Sequence, residues 1–85
     1  MQKHTLKNGL TYYTVSTEEL YRLGGVGVCD HCGTFHEEGY LVPVLNHWLC
    51  KDCFEEWSKD ARHYPEDDMY EEMSIKYYES KIPLI

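Results

Sequence analysis

The sequence has no apolar run long enough to cross a bilayer: its longest, Tyr40 to Leu45, is six residues and contains Pro43, where about 20 are needed. No membrane helix is expected. Bases are scarce too, 8 against 15 acids, giving a formal net charge of −7. Nonspecific nucleic-acid affinity comes mainly from Lys and Arg neutralising phosphates, so direct binding of DNA or RNA is disfavoured. Catalytic signatures are missing: there is no Ser-x-x-Lys, Gly-x-Ser-x-Gly, phosphate loop or His-Glu-x-x-His. Adjacent carboxylates such as Glu55 with Glu56, or Asp67 with Asp68, point to different faces of a helix and cannot form an acid/base pair. An enzyme is not expected. Residues Met1 to Leu6 carry one base with no apolar stretch behind it, so no secretory signal is read and a cytoplasmic, reducing compartment is the expectation.

What is present is a small chain with a staple. Eighty-five residues make one domain, 1–85, whose core alone supplies little net stability at that size. Apolar residues at 42% with 27% charged are enough for it to fold. Cys29, Cys32, Cys50 and Cys53 read as C-x2-C, 17 residues, C-x2-C, within the spacing of a four-thiolate zinc site. Two intervening residues let a tight turn or a first helical turn aim both sulfurs at one point, and two such pairs complete a tetrahedron with Zn–S distances of about 2.3 Å. Disulfides are the rival reading, but a reducing compartment would open them. Iron in a rubredoxin-like site would favour Gly or Pro after both pairs, and only Cys32 is followed by glycine, Gly33. One structural Zn²⁺ is the expected cofactor, because four sulfurs leave no open position for water or substrate.

The flanking segments have their own signals. Asn8-Gly9 lies between β-favouring residues and predicts a hairpin with a two-residue turn. Ser16-Thr17-Glu18-Glu19 offers a capping box for a short helix of about two turns, with Leu20 and Leu23 on its apolar face and Gly24-Gly25 ending it. Val26 to Gly33 reads as a knuckle around the first cysteine pair. Thr34–His36 and Tyr40–Leu45 flank Glu37-Glu38-Gly39, and Asn46-His47 lies before Trp48-Leu49, which suggests a second hairpin or a three-stranded meander between the cysteine pairs, with Pro43 confining its strand to an edge or bulge. Cys53 then opens a helix with Phe54, Trp57 and Ala61 as its apolar stripe. Its dipole and free N–H groups favour thiolates. Pro65-Glu66-Asp67-Asp68 starts a last, acidic helix over 65–80, with Met69, Met73 and Tyr77 on one face. Lys81 to Ile85 is expected to pack back as an extended tail.

Knuckle, hairpin, then a helix holding the second pair at its N-terminus is the order of parts in treble-clef zinc domains, which this chain resembles over residues 26–62. The resemblance maps Cys29 and Cys32 onto the knuckle ligands and Cys50 and Cys53 onto the helix ligands. It implies a small zinc-centred core, which with the N-terminal hairpin and short helix read over 4–25 and the acidic helix behind makes the expected fold α+β. LIM-like and glucocorticoid-receptor-like domains share the order, so the resemblance implies fold and metal while leaving function open. The whole sequence is also similar to short proteins of phages and mobile elements in Gram-positive bacteria.

Near the cysteines, His31, His36 and His47 are expected to be surface or hairpin residues, because four sulfurs already fill a tetrahedron. Trp48 and Trp57 are expected in the core. Eight tyrosines are too many for so small a core, so some must lie near the surface. From Phe54 to Ser80 nine acids stand against three bases, a field that repels phosphates and attracts basic proteins. Glu66, Asp67, Asp68, Tyr70, Glu71 and Glu72 are therefore the candidate docking residues for a protein partner, plausibly a basic nucleic-acid-handling protein. The expected function is a protein-binding regulatory module. One alternative is an acidic inhibitor that mimics DNA, as anti-restriction and anti-CRISPR proteins of this size do; a zinc-ribbon-like nucleic-acid binder is the second.

Overall fold

A computed structural model describes all residues, 1–85. Four strands form one antiparallel sheet in chain order: β1 (Gln2–Thr5), β2 (Thr11–Ser16), β3 (Glu38–Val42) and β4 (His47–Leu49). The helices are α1 (Thr17–Leu20), α2 (Lys51–Asp60) and α3 (Asp68–Lys81), with single 3-10 turns at Tyr21–Leu23 and Pro65–Asp67. The fold is thus α+β. No helix is long and apolar enough to cross a membrane.

The first hairpin forms where expected, but its loop has three residues, not two. Leu6 N–H donates to Leu10 O at 2.8 Å and Gly9 N–H donates back to Leu6 O at 3.0 Å. Lys7, Asn8 and Gly9 lie between them, with Gly9 taking the left-handed conformation that closes such a loop. The capping box is present: Ser16 Oγ accepts from Glu19 N–H and the Glu19 carboxylate accepts from Ser16 N–H, both at 3.1 Å. The second hairpin turns at Pro43–Asn46, next to the Asn46-His47 turn of the expected meander, whereas Glu38 and Gly39 are no turn but the start of β3, and Thr34–His36 contributes only an isolated bridge at Phe35. Leu45 N–H reaches Val42 O and Asn46 N–H reaches Pro43 O, both at 3.2 Å. Pro43 follows β3 and so removes no ladder donor; it sits at the turn position its fixed φ suits, and Asn46 tolerates a φ of 54°.

The sheet separates two clusters of apolar side chains, because successive residues of a strand point to opposite faces. Tyr13, Leu41 and Trp48 lie in register across β2, β3 and β4. With Met1, Val15, Leu20, Tyr78 and Ile82 they make the first core. On the other face Val42 and Leu49 pack with Cys29, Cys50 and Phe54. Tyr40 stacks on Phe54 with ring centroids 4.4 Å apart, and Tyr12 lies at 4.8 Å from the same ring. Trp48 is buried as expected, and its indole N–H donates to Val15 O at 3.0 Å. Gly39 permits this packing: a Cβ there would sit 2.5 Å from the Trp48 ring.

The last helix departs from its expected face. Met69, Met73 and Tyr77, the periodic apolar set, are 75%, 65% and 51% exposed. The inward face carries Tyr78 and Ile82 together with two acids. Glu71 accepts from Thr11 N–H at 2.9 Å, and Glu79 accepts from the Tyr13 hydroxyl at 2.6 Å and pairs with Lys3 at 2.8 Å. Polar fastening to the sheet replaces part of the apolar contact, which a periodicity count of apolar residues does not register. In the tail Ile82 is buried and Ile85 N–H donates to Met1 O at 2.9 Å, while Leu84 and Ile85 stay exposed.

Candidate metal centre

The knuckle is built by backbone hydrogen bonds from both sides. His36 N–H donates to Gly27 O, Cys29 N–H to Thr34 O and Gly33 N–H to Cys29 O, all within 3.0 Å, and Val28 bridges Phe35. Gly33 takes a φ of 72°, a left-handed conformation that a residue without a Cβ adopts freely. Asp30 fastens this loop to the sheet. Its N–H donates to Trp48 O at 2.9 Å and its carboxylate accepts from Trp48 N–H at 2.8 Å. Cys50 is the N-cap of α2, in extended conformation, and Phe54 N–H makes the first helical bond to Cys50 O at 2.9 Å. Cys53 follows within the first turn.

These elements bring the four sulfurs within 4.8 Å of one another, with Cys32 and Cys50 at 3.9 Å. A tetrahedral ion with metal–sulfur bonds of about 2.3 Å requires edges of about 3.8 Å, so the spacing needs only a small contraction to close on a metal. All four cysteines are free. Cys29 and Cys50 are buried, Cys53 is half-buried and Cys32 faces solvent. The donor set, four soft sulfurs in a closed cluster, fits a structural metal ion.

Electrostatics of the cluster are uneven. Burial alone would push the Cys29 thiol up, but backbone N–H groups of Cys32, Cys50 and His31 outweigh it and bring the group down to about 6. The Thr34 hydroxyl and backbone N–H lower Cys32. Cys53 is raised, by desolvation and by the sulfurs of Cys50, Cys29 and Cys32 around it. Part of the cluster is thus prepared as thiolate by the knuckle, and a metal's positive charge is what would ionise the remainder.

No histidine belongs to the cluster, which is made of cysteines alone. His31 and His47 are exposed and line a groove of about 350 Å³ beside Cys53, walled on the helix side by Glu56, Trp57 and Asp60. His36 lies half-buried, next to the isolated bridge that Phe35 makes with Val28. Trp57 is only half-buried, its ring tilted by 44° against Phe54 with centroids 5.9 Å apart.

The six candidate docking residues do not form one continuous outward row. Glu66 is free on the surface, Asp67 is half-buried, Asp68 holds His63, Tyr70 is half exposed and Glu72 pairs with Lys76 at 3.4 Å. Glu71 turns inward to Thr11. Asp30 is the residue that sequence reading missed. A short acceptor inside C-x2-C is visible in the sequence, but its partner lies 18 residues on, in β4. Comparisons of the chain with protein-family models, with curated proteins and with solved structures returned no match.

Proposed function

We propose that this chain is a small protein-binding module organised by one structural zinc ion in a treble-clef arrangement, with α3 as its docking face. Four sulfurs at near-tetrahedral spacing support zinc, the ion that a closed four-thiolate set in a reducing compartment favours. The order knuckle, β3–β4 hairpin and α2, with its second cysteine pair at the helix start, supports the treble-clef assignment. Such a site leaves no coordination position for substrate, so the metal's role is architectural.

The observation that carries the binding reading is the apolar row on α3. Met69, Tyr70, Met73 and Tyr77 are each at least half exposed on a 14-residue helix. Clustered exposed Met and Tyr mark protein contact surfaces, and Tyr is enriched at interface hot spots. A surface that is acidic overall disfavours nucleic acid as the partner. The DNA-mimic alternative is weakened because Glu71 is spent on β2 and Asp68 and Glu72 are paired.

The test places a photo-crosslinking phenylalanine analogue at Tyr70 in cells. Protein adducts that disappear when Met73→Glu is added, with bound metal unchanged, are the expected result. Absence of any protein adduct would overturn the docking reading. Elemental analysis of the purified protein should return one zinc per chain.

A further inference from the structure

The docking face is self-complementary. On the outward side of α3 and the turn before it, Glu66 and the half-buried Asp67 stand at the N-terminal end with Asp68, which holds His63, followed by the Glu72–Lys76 pair, and Lys81 stands at the C-terminal end; Glu71 and Glu79 turn inward to Thr11, Tyr13 and Lys3. The exposed apolar row occupies the middle, centred on Met73. From these two features, and resting on the reading of α3 as the docking surface, we infer that the occupant of this face is a second copy of the same chain.

A twofold axis through Met73, with the helices antiparallel, sets the pairing. Met73 meets Met73 of the second copy, and Met69 meets its Tyr77. Lys76 comes against the Tyr70 ring, and Lys81, which in one chain leans over Tyr77 with Nζ 6.0 Å from the ring centroid, comes alongside the second copy's Glu66 and Asp67. Each contact occurs twice, as an isologous interface requires. The antiparallel arrangement also places each helix's positive end against its partner's negative end. A parallel pairing would instead set acids against acids and lysines against lysines.

The neighbouring surface extends the contact. A groove of about 460 Å³ runs beside Tyr77, lined by Leu23, Val26 and Val28 among others, and Val26 is 64% exposed. The net charge of −7 per chain opposes association at long range. Screening over about 8 Å at physiological salt confines that opposition to charges near the interface, where Lys81 of each copy meets the acids at the other's helix start. A helix of 14 residues is about 21 Å long, so the interface falls below the roughly 1,200 Å² of standard complexes and the dimer is a weak one, forming at micromolar concentrations.

Sedimentation of the metal-loaded protein across about 5 to about 500 µM tests this. The expected result is a weight-average mass that climbs from 10.1 kDa toward twice that value. Met73→Glu, at a position already facing solvent, should shift the midpoint at least about tenfold while the metal content and circular dichroism stay the same. Lys81→Glu should weaken the dimer, and Glu66→Lys combined with it should restore it. A mass that stays at 10.1 kDa throughout, or a dimer indifferent to Met73→Glu, overturns the inference. The crosslink at Tyr70 separates the two failures: an adduct to a different protein leaves the docking reading standing and removes self-association, whereas no adduct removes both.

Discussion

Asp30 stands between Cys29 and Cys32, yet its carboxylate points to the Trp48 backbone and not to the sulfurs. It therefore positions the knuckle without touching a metal. Asp30→Ala is expected to lower stability by about 1 kcal/mol, since a hydrogen bond to a charged acceptor is lost and a backbone donor of β4 is left open. The same variant, loaded with metal, should release it to a chelator faster than the wild type, measured by absorbance of the chelator complex. Gly39 is a second single-residue constraint. Its Cβ-less backbone lies against the Trp48 ring and Leu49 O, so Gly39→Ala is expected to cost about 1 to 3 kcal/mol in urea unfolding and to red-shift Trp48 emission. Glu79 offers a pH-dependent test. Lys3, and then the Tyr13 hydroxyl, hold its carboxyl below the ordinary value of 4.5. The native state binds this proton less readily than the unfolded chain, so the stabilisation is present above about pH 4.5 and fades as pH falls through the lower native value. Glu79→Gln should be less stable than wild type by about 1 kcal/mol at pH 7, with the gap closing in acid.

At the scale of elements, the short-range signals in the sequence and the observed pieces agree closely. Ser16 and Glu19 form their capping box, Gly33 takes its positive φ, and Cys50 and Cys53 sit at the start of a helix with Phe54 turned to the core. Each of these depends on residues within four positions of one another, which is why the sequence displays them. The misread elements depend on partners farther away. Met69, Met73 and Tyr77 have helical spacing, but the face that α3 presents to the sheet is chosen by Thr11, Tyr13 and Lys3, which lie more than fifty residues earlier and draw in Glu71 and Glu79. Likewise Gly39 looks like a turn residue until Trp48 is placed over it. Within the metal centre the four sulfur positions were legible from spacing alone, whereas the Asp30 fastening was not. Disabling the α3 attachment should be selective: Glu71→Ala with Glu79→Ala is expected to raise amide exchange in α3 and β1 while leaving the cysteine cluster's metal affinity within about threefold, read by chelator competition.

For the whole molecule, the sheet is a partition with different support on each side. The core formed by Tyr13, Leu41, Trp48 and Tyr78 contains no cysteine, while the core around Val42, Leu49 and Phe54 is continuous with the cluster. Removing a metal bound to the cluster, under reducing conditions, is therefore expected to act first on the second side. Amide exchange in the knuckle and α2 should rise before that of β1, β2 and α3, with the tertiary signal of Phe54 and its tyrosine neighbours lost ahead of Trp48 burial.

The strand order carries a consequence for how the molecule assembles. Every ladder joins strands that follow one another along the chain, so no pairing waits on a distant segment to be threaded into place. Such nearest-neighbour ribbons close their loops at small entropic expense and fold rapidly. The β3–β4 ribbon spans most of the interval between the two cysteine pairs, and its closure delivers the start of α2 to the knuckle. A metal ion would then meet a cradle already half made, and the rate of that late locking step should follow free metal concentration while the preceding collapse does not.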